Sequence, residues 1–209
     1  MHEEVKHPCI QHKLALIRDK NTGHKQFREL ATEITKLVCY EALKNLRTRS
    51  ISVETPLATT ECQEISDEVI VIPILRAGIG MLDGVLELVP TARVGFLGMY
   101  RDEETAEPVA YYERLPLQSR SGFNLVIDPM LATGGSTNAA ISQLKKSGAE
   151  NIAVACIVTC PEGLAAVAAE HPDVRVYAAT VDSHLDERSF IVPGLGDAGD
   201  RLFGTTETI

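Results

Sequence analysis

Apolar and polar positions follow two different periodicities along the chain. Between residues 24 and 46, apolar side chains recur every three or four positions, which is typical of an amphipathic helix. Elsewhere, short runs are almost entirely apolar and rich in β-branched residues, as expected for strands buried on both faces of a parallel sheet. The predicted strands are 69–75, 92–99, 125–127, 152–158 and 174–181.

Segments with helical spacing lie between these runs, and they begin near Ile79, Ala139 and Pro161. Strands that alternate with helices at this interval predict an α/β fold, a mostly parallel sheet flanked by helices. Ligand sites in such folds lie at the carboxyl ends of the strands. Because Pro73 has no N–H for a central ladder, we expect the first strand to end near it. The polar stretch 47–68 is compatible with an edge hairpin.

Length and composition favour a single globular domain. The chain has 209 residues, of which 44% are hydrophobic, and this is enough for one substantial core. No apolar run is long enough to span a bilayer, and the polar start Met1-His-Glu-Glu lacks a signal-peptide core. Five cysteines without a CxxC pair favour small core residues over disulfides or a metal site. We therefore expect a cytoplasmic, reduced protein without a membrane partner.

The acidic balance narrows the function further. A net charge of −9 argues against a dedicated nucleic-acid-binding protein, which would present a basic patch. An acidic protein that binds a polyanion must supply local cations, from particular arginines or from a divalent metal.

The stretch 125–136 has the pattern of a phosphate-binding loop. Apolar residues end a strand, Asp128 follows, and small residues then lead into a helix. Unpaired amides at a helix N-terminus and the helix dipole both favour an anion. A plain β–α turn with the same glycines is the alternative, but the aspartate and the flanking elements favour phosphate binding.

Three more segments carry candidate chemistry. Arg76 follows strand 69–75, where a guanidinium suits a phosphate, although a surface ion pair would also account for it. Residues 102–122 lack periodicity and predict a long functional loop, with an exposed β-hairpin as the alternative. The glycine-rich stretch 190–204 contains embedded apolar residues, so we expect it to dock on the body rather than fray as a tail.

Taken together, Asp-Pro-Met-Leu-Ala-Thr-Gly-Gly-Ser at 128–136, Leu-Arg-Ala-Gly at 75–78 and the stretch 190–204 resemble the uracil phosphoribosyltransferases. The resemblance runs from about Val5 to Gly204. It implies transfer of the phosphoribosyl group of phosphoribosyl diphosphate (PRPP) to uracil, giving UMP and diphosphate. It also implies one phosphoribosyltransferase domain, 1–209, with an N-terminal arm (1–20), a flexible hood loop (102–122) and a uracil-binding segment (182–204).

The same resemblance assigns roles to individual residues. It implies that PRPP contacts Arg76, Arg101, Asp128, Pro129, Met130, Leu131, Ala132, Thr133, Gly134, Gly135, Ser136 and Asp197. It implies that backbone groups read uracil at Ile191, Gly196, Asp197 and Ala198. Arg76 and Asp197 would assist the reaction by electrostatics and positioning. The wider phosphoribosyltransferase family usually has two adjacent acidic residues before the loop, whereas this chain has only Asp128.

Further properties follow from the resemblance alone. Mg²⁺ is the implied cofactor and would be held mainly by the substrate, since the chain has no cluster of metal ligands. Members form dimers or larger assemblies, some are activated by GTP, and many carry a strained peptide bond in the Arg76 loop. Two alternatives are a regulator that binds UMP or PRPP without turnover and a phosphoribosyltransferase for another base. Arg76 argues against the first, and the C-terminal stretch argues against the second.

Overall fold

The structure is a computed structural model that describes residues 1–101 and 108–205, with the backbone alone described at 100, 101, 108 and 110. The described strands are β1 (His2–Glu4), β2 (Thr48–Glu54), β3 (Thr59–Ile65), β4 (Val69–Leu75), β5 (Arg93–Val94), β6 (Phe96–Arg101), β7 (Pro108–Arg114), β8 (Phe123–Ile127), β9 (Met130–Leu131), β10 (Asn151–Thr159), β11 (Arg175–Val181), β12 (His184–Leu185) and β13 (Ile191–Val192). The described helices are α1 (Pro8–Arg18), α2 (His24–Ala42), α3 (Ile79–Leu88), α4 (Gly135–Lys146), α5 (Pro161–Glu170) and α6 (Ala198–Phe203), with a short 3₁₀ helix at Leu117–Arg120.

A central sheet runs through the molecule in the order β1-β11-β10-β8-β4-β6-β7, with β5 beside β4 and β9 beside β10. All of these pairings are parallel except the pairing of β6 with β7. The predicted fold class, an α/β fold with a mostly parallel sheet flanked by helices, is therefore confirmed. Among the described residues, no helix is both long enough and apolar enough to cross a bilayer.

The core lies on both faces of the sheet. Side chains alternate along each strand, so Val71 packs on one face of β4 while Ile70 and Ile72 pack on the other. The first face is covered by α1, α2, α3 and α6, and the second by α4 and α5. The apolar spacing that predicted α2 faces this core, but the helix ends at Ala42 rather than at residue 46.

The prediction that the first strand ends near Pro73 was wrong, because β4 continues to Leu75. Pro73 pairs in register with Ile127 of β8. On its other side, β4 pairs first with β5 and then with β6, and these two short strands are interrupted at Gly95. Gly95 N–H donates to the Val71 carbonyl, so odd-numbered residues of β4 face the interrupted side. The missing N–H of Pro73 therefore falls where the ladder is already broken.

Three polar segments contain strands: the arm at 1–20, the stretch 47–68, where a hairpin was expected, and residues 108–114 of the predicted loop. The arm at 1–20 contributes β1 to the sheet, where His2–Glu4 pairs with β11. Residues 47–68 form a separate antiparallel hairpin, β2 and β3, instead of an edge of the main sheet. The long irregular loop predicted at 102–122 is in part β7, paired antiparallel with β6, so the hairpin alternative describes residues 108–114. Residues 102–107 of the predicted hood lie outside the described residues.

Candidate active site

Arg76 and Asp128, two of the residues with predicted roles, lie at the same edge of the sheet. Strands β4, β8, β10 and β11 are parallel neighbours, so their carboxyl ends lie side by side. Arg76 follows β4 directly, and Asp128 follows β8 directly. Two side chains of opposite charge therefore leave the sheet from adjacent strands, where α/β folds place their ligands.

The first half of the loop 128–136 is tied to β10 and the residue after it. Three of its carbonyls accept hydrogen bonds. These bonds run from the N–H groups of Ile157 and Val158 to Pro129 (3.1 and 3.0 Å), from the Thr159 hydroxyl to Leu131 (2.9 Å) and from Cys160 Sγ to Ala132 (3.4 Å). The side chains of Pro129 and Leu131 are buried, so these two residues serve the loop as anchors.

Gly134 provides the turn from this loop into α4. Its φ of 85° lies in the left-handed region, which residues with a Cβ rarely adopt. There is also no room for a side chain at this position, because a Cβ built on Gly134 would lie 2.8 Å from the Ala166 Cβ in α5. The N–H groups of residues 135–137 begin α4 and have no acceptor one turn earlier within the helix. The Gly135 N–H donates to the Thr133 hydroxyl at the long distance of 3.5 Å. The turn therefore presents amide donors at the positive end of a helix, which is a phosphate-binding geometry.

The carboxyl group of Asp128 is held in a partly buried position beside this loop. The Asp128 N–H donates to the Ala155 carbonyl at 3.2 Å, which continues the β8–β10 pairing by one residue. Burial raises the pKa of Asp128 to about 7; the charge of Asp197 adds to this effect, and a hydrogen bond from Met130 N–H opposes it. A carboxyl group that titrates near neutral pH in a cleft is a candidate ligand-binding group.

Arg76 is exposed and makes no ion pair with any residue in 1–101 or 108–205. The peptide bond that precedes it, Leu75–Arg76, is cis. Two residues later, Gly78 packs so closely that a Cβ there would lie 2.6 Å from the Ile127 carbonyl oxygen. The Arg76 loop and the Asp128 loop are therefore in direct contact, and the Arg76 guanidinium is available to an anion.

A cavity of about 210 Å³ lies between the C-terminal segment and the loop 128–136. All four residues predicted to contact uracil line it: Ile191, Gly196, Asp197 and Ala198. Met130 and Ala132 of the loop 128–136 line the same cavity. The structure thus brings together two groups of residues that the sequence placed in separate segments.

The C-terminal segment docks on the body as predicted. Leu195 and Leu202 are buried, and Leu202 packs on Gly80 of α3, where a Cβ would lie 2.5 Å from Leu202 Cδ2. Asp197 caps α6, since its side chain accepts from Asp200 N–H at 2.8 Å. The cap orients the Asp197 carboxylate at the cavity that α6 borders.

Three further residues line this cavity and were not assigned a role from the sequence: Arg188, Ser189 and Phe190. The Arg188 guanidinium lies 5.4 Å from the centre of the Phe190 ring, within the range of a cation–π contact. Ser189 has a φ of 63°, which is rare for a residue with a Cβ. The Arg188–Phe190 contact and the positive φ of Ser189 could not be predicted from the sequence, because both depend on the turn between β12 and β13.

The predicted contacts of the site residues with PRPP and uracil stay predictions, and so do the contact of Arg101 and the predicted Mg²⁺. Arg101 ends β6, but its side chain is outside the described part of the chain, so its predicted phosphate contact stays a prediction. Within residues 1–101 and 108–205, no three histidine, cysteine, aspartate or glutamate side chains form a group that could hold a metal. Asp128 and Asp197 place two carboxyl groups beside the loop 128–136.

Comparison with known proteins gives a consistent result. The model of the family described as uracil phosphoribosyltransferase matches residues 4–205. A uracil phosphoribosyltransferase from Alkaliphilus oremlandii is 55% identical over 202 residues, which are 96% of this chain and 97% of the relative. These matches span nearly the whole chain and include every segment that borders the cavity.

Two solved structures are similar to this chain in fold. The AQ2163 protein from Aquifex aeolicus superimposes with a TM-score of 0.94 at 36% identity, covering 99% of this chain and 100% of that one. A hypoxanthine-guanine phosphoribosyltransferase from Bacillus anthracis has a TM-score of 0.50 at 11% identity, covering 74% of this chain and 78% of that one. This second similarity concerns the fold alone.

Proposed function

Because the chain belongs to the uracil phosphoribosyltransferase family, we propose that it transfers the phosphoribosyl group of PRPP to uracil, giving UMP and diphosphate. The observation that carries the proposal is the shared cavity, which is lined by Met130 and Ala132 of the loop 128–136 and, from the C-terminal segment, by Ile191, Gly196, Asp197 and Ala198. A transfer between a phosphorylated sugar and a base requires both binding sites to meet at one point. The proposal is supported by residues from both predicted sites lining this one cavity.

PRPP would lie along the carboxyl edge of the sheet. The first turn of α4 would bind its 5′-phosphate through backbone N–H groups, supported by Thr133 and Ser136. Asp128 would accept from the ribose hydroxyls, and Arg76 would bind the diphosphate with charge-assisted hydrogen bonds. Arg101 would add a second cation to the diphosphate once the segment after β6 covers it.

The reaction needs no covalent enzyme intermediate. The bond between ribose C1 and the diphosphate oxygen breaks, and both its electrons leave with the diphosphate. Uracil N1 forms a bond to C1 from the opposite face, and the N1 proton is released. Positive charge develops on the ribose and negative charge on the leaving group, so fixed charges lower the barrier by electrostatic stabilisation. Arg76 acts on the leaving group, and the Asp197 carboxylate acts near the ribose.

Backbone groups would select the base. Uracil presents an alternating acceptor–donor–acceptor edge, which main-chain N–H and C=O groups at Ile191, Gly196 and Ala198 can complement. A base with a different edge would leave buried polar groups without partners, and this penalty discriminates strongly between substrates. The volume of the cavity, about 210 Å³, suits a single-ring base.

Mg²⁺ fits this site as an ion delivered with PRPP. The two carboxylates that interact across the site, Asp128 and Asp197, could face a cation on the substrate, although they do not form a complete metal site. Bound to the diphosphate, Mg²⁺ would neutralise part of the charge that the leaving group carries.

The remaining family properties belong to the same proposal. One domain, 1–209, would act in the cytoplasm as a homo-oligomer of two or more copies, with 102–122 as its hood and GTP as an activator. Light scattering would measure the number of copies, and initial rates with and without GTP would measure the activation.

A panel of bases tests the function directly. Purified protein is incubated with PRPP, Mg²⁺ and uracil, cytosine, hypoxanthine or orotate, and nucleotide formation is followed by chromatography. We expect UMP from uracil and little or no nucleotide from the others. Binding of PRPP and UMP without any turnover would identify a regulator, and equal turnover of another base would overturn the assignment of the cavity.

A further inference from the structure

Arg18, the last residue of α1, reaches across the molecule to two segments near the end of the chain. Its two terminal nitrogens donate to the two carboxylate oxygens of Asp182, Nη1 to Oδ2 at 2.7 Å and Nη2 to Oδ1 at 2.6 Å. Nη1 also donates to the Gly194 carbonyl at 2.7 Å. One guanidinium therefore holds a carboxylate in the bidentate geometry and a backbone carbonyl at the same time.

Asp182 completes this group of three residues. Its side chain is only 5% exposed, and Oδ2 also accepts from Gly194 N–H at 2.8 Å. The Asp182 N–H donates to the Thr159 carbonyl at 2.7 Å, so the residue is fixed at the carboxyl edge of the sheet. A buried carboxylate is costly unless it is paired, and here its partners are Arg18 and the Gly194 amide.

The Gly194 turn positions the residues that line the base cavity. Both backbone groups of Gly194 are held, its N–H by Asp182 and its C=O by Arg18. A Cβ built on Gly194 would lie 2.1 Å from the Ile191 carbonyl, so the turn closes directly on a residue that lines the cavity. Gly196 follows two residues later, again with positive φ. The two glycines leave the turn free to bend on either side of Leu195, so contacts from outside set its position. Arg18 and Asp182 hold Gly194, and Arg201 Nη1 donates to the Leu195 carbonyl at 2.8 Å.

We propose that Arg18 and Asp182 are positioning residues that set the affinity for the base by fixing the Gly194 turn. A site that reads a base through main-chain groups can be made specific only by holding the main chain itself. Neither side chain lines the base cavity, and the phosphate loop has its own anchors on β10 and the residue after it. This inference rests on the proposed function, and it assigns the binding of uracil, but not of PRPP, to the group Arg18, Asp182 and Gly194.

The pair Arg47 and Asp67 provides a matched control. The Arg47 side chain donates to Asp67 Oδ1 at 2.6 Å, and the Asp67 side chain is 5% exposed, the same fraction as for Asp182. This second pair lies at the base of the β2–β3 hairpin, remote from the cavity in sequence and outside its lining. Arg47 is 76% exposed, against 24% for Arg18, so the two pairs match in the burial of the carboxylate. Removal of the second pair reports the general cost of losing an arginine from a buried aspartate, away from the cavity.

The experiment compares the double variants Arg18→Met/Asp182→Asn and Arg47→Met/Asp67→Asn. Removing both charges avoids leaving one buried charge unpaired, which could unfold the chain. Thermal midpoints and the KM values for uracil and PRPP are measured separately. We expect the first variant to raise the uracil KM by about tenfold or more, the equivalent of one charge-assisted hydrogen bond, with the PRPP KM nearly unchanged. We expect the control to lose thermal stability with both KM values unchanged.

A third variant, Arg18→Lys, keeps the positive charge. An ammonium group cannot serve both carboxylate oxygens and the Gly194 carbonyl in the planar geometry of a guanidinium, so the uracil KM should still rise. A parallel rise of both KM values, or an unchanged uracil KM in Arg18→Lys and the double variant, would overturn the inference. If the unmodified protein does not convert uracil at all, the proposed function itself fails, and this outcome is distinct from the other two.

Discussion

Asp128 and Asp197 interact across the candidate site, although one follows a central strand and the other caps a helix near the end of the chain. The charge of Asp197 adds to the effect of burial, and the pKa of Asp128 rises to about 7. A carboxyl group whose charged form is disfavoured by burial and by a neighbouring carboxylate favours a proton, a cation or a hydrogen-bond donor beside it. We expect a sugar hydroxyl or a substrate-bound Mg²⁺ to satisfy that preference.

The first prediction concerns Asp128→Asn. The Asp128 pKa is about 7 in the folded chain against an ordinary value of 3.8, so the folded state binds the proton more tightly. The protonated Asp128 carboxyl group therefore raises the free energy of unfolding. This contribution is complete below pH 3.8 and is lost as the pH rises through 7. Asparagine does not titrate, so we expect the variant to be more stable than the original chain at pH 8. The free energy of unfolding should rise by at most ~4 kcal/mol. The rise is smaller than this limit because solvent screens the exposed part of the carboxyl group. PRPP affinity should fall.

Chemical denaturation between pH 4 and pH 8, with calorimetric titration of PRPP, measures both effects. Asp173→Asn is the control of opposite sign, because a hydrogen bond from Lys145 lowers the pKa of Asp173. Its stabilisation is present above the ordinary pKa, so removing it should cost stability at pH 8. A pH-independent difference between Asp128→Asn and the original chain would contradict the assigned pKa.

The local pattern of the sequence was sufficient to predict the α/β fold and the positions of the Arg76 loop and the loop 128–136. A buried strand, a short loop and a helix are read from neighbouring residues, so Arg76 and Asp128 could be placed at strand ends directly. The strand β1 could not be predicted this way. His2–Glu4 has no apolar pattern, and it becomes a strand only because β11, from the other end of the chain, offers it an edge.

The base site shows the same limit. The glycines and embedded apolar residues of 190–204 indicated a docked segment, and the family resemblance supplied its contacts. Arg18, which holds the segment through Asp182 and Gly194, is distant in sequence, since it precedes Asp182 by 164 positions. Ser189 at the cavity adopts a left-handed φ that no residue type there indicates. Such features arise from tertiary packing, to which a local pattern has no access.

The second prediction concerns Arg76→Ala. The lost guanidinium would have stabilised charge that develops on the leaving diphosphate, so we expect kcat to fall by about 10² or more. Thermal stability should change little, because Arg76 is exposed and has no ion pair among the described residues. Steady-state kinetics and a thermal melt measure the two quantities.

Arg49→Ala controls for the loss of one positive charge, since Arg49 is an exposed arginine paired with Glu64 on the β2–β3 hairpin. We expect this variant to keep its kcat. If Arg76→Ala retains nearly full activity, Arg76 is a surface residue and the diphosphate lies elsewhere.

The third prediction compares two glycines at the two ends of α4. Gly134 precedes the helix with a φ of 85°, and Gly148 follows it with a φ of 91°, so alanine costs a similar backbone strain of about 1 kcal/mol at either position. Their surroundings differ. A Cβ on Gly134 would press on Ala166, whereas on Gly148 the nearest atom is Arg120 Cγ at 3.7 Å.

We expect Gly148→Ala to lose stability while it binds PRPP normally, and Gly134→Ala to lose both stability and PRPP binding. The reason is that the clash at Gly134 shifts the turn whose amides face the phosphate, and several hydrogen bonds are lost together. PRPP affinity by calorimetry, beside the thermal midpoint of each variant, separates the two effects. An unchanged PRPP affinity in Gly134→Ala would mean that the phosphate does not bind at the first turn of α4. The comparison with Gly148→Ala ensures that a general loss of stability cannot be mistaken for the loss of this site.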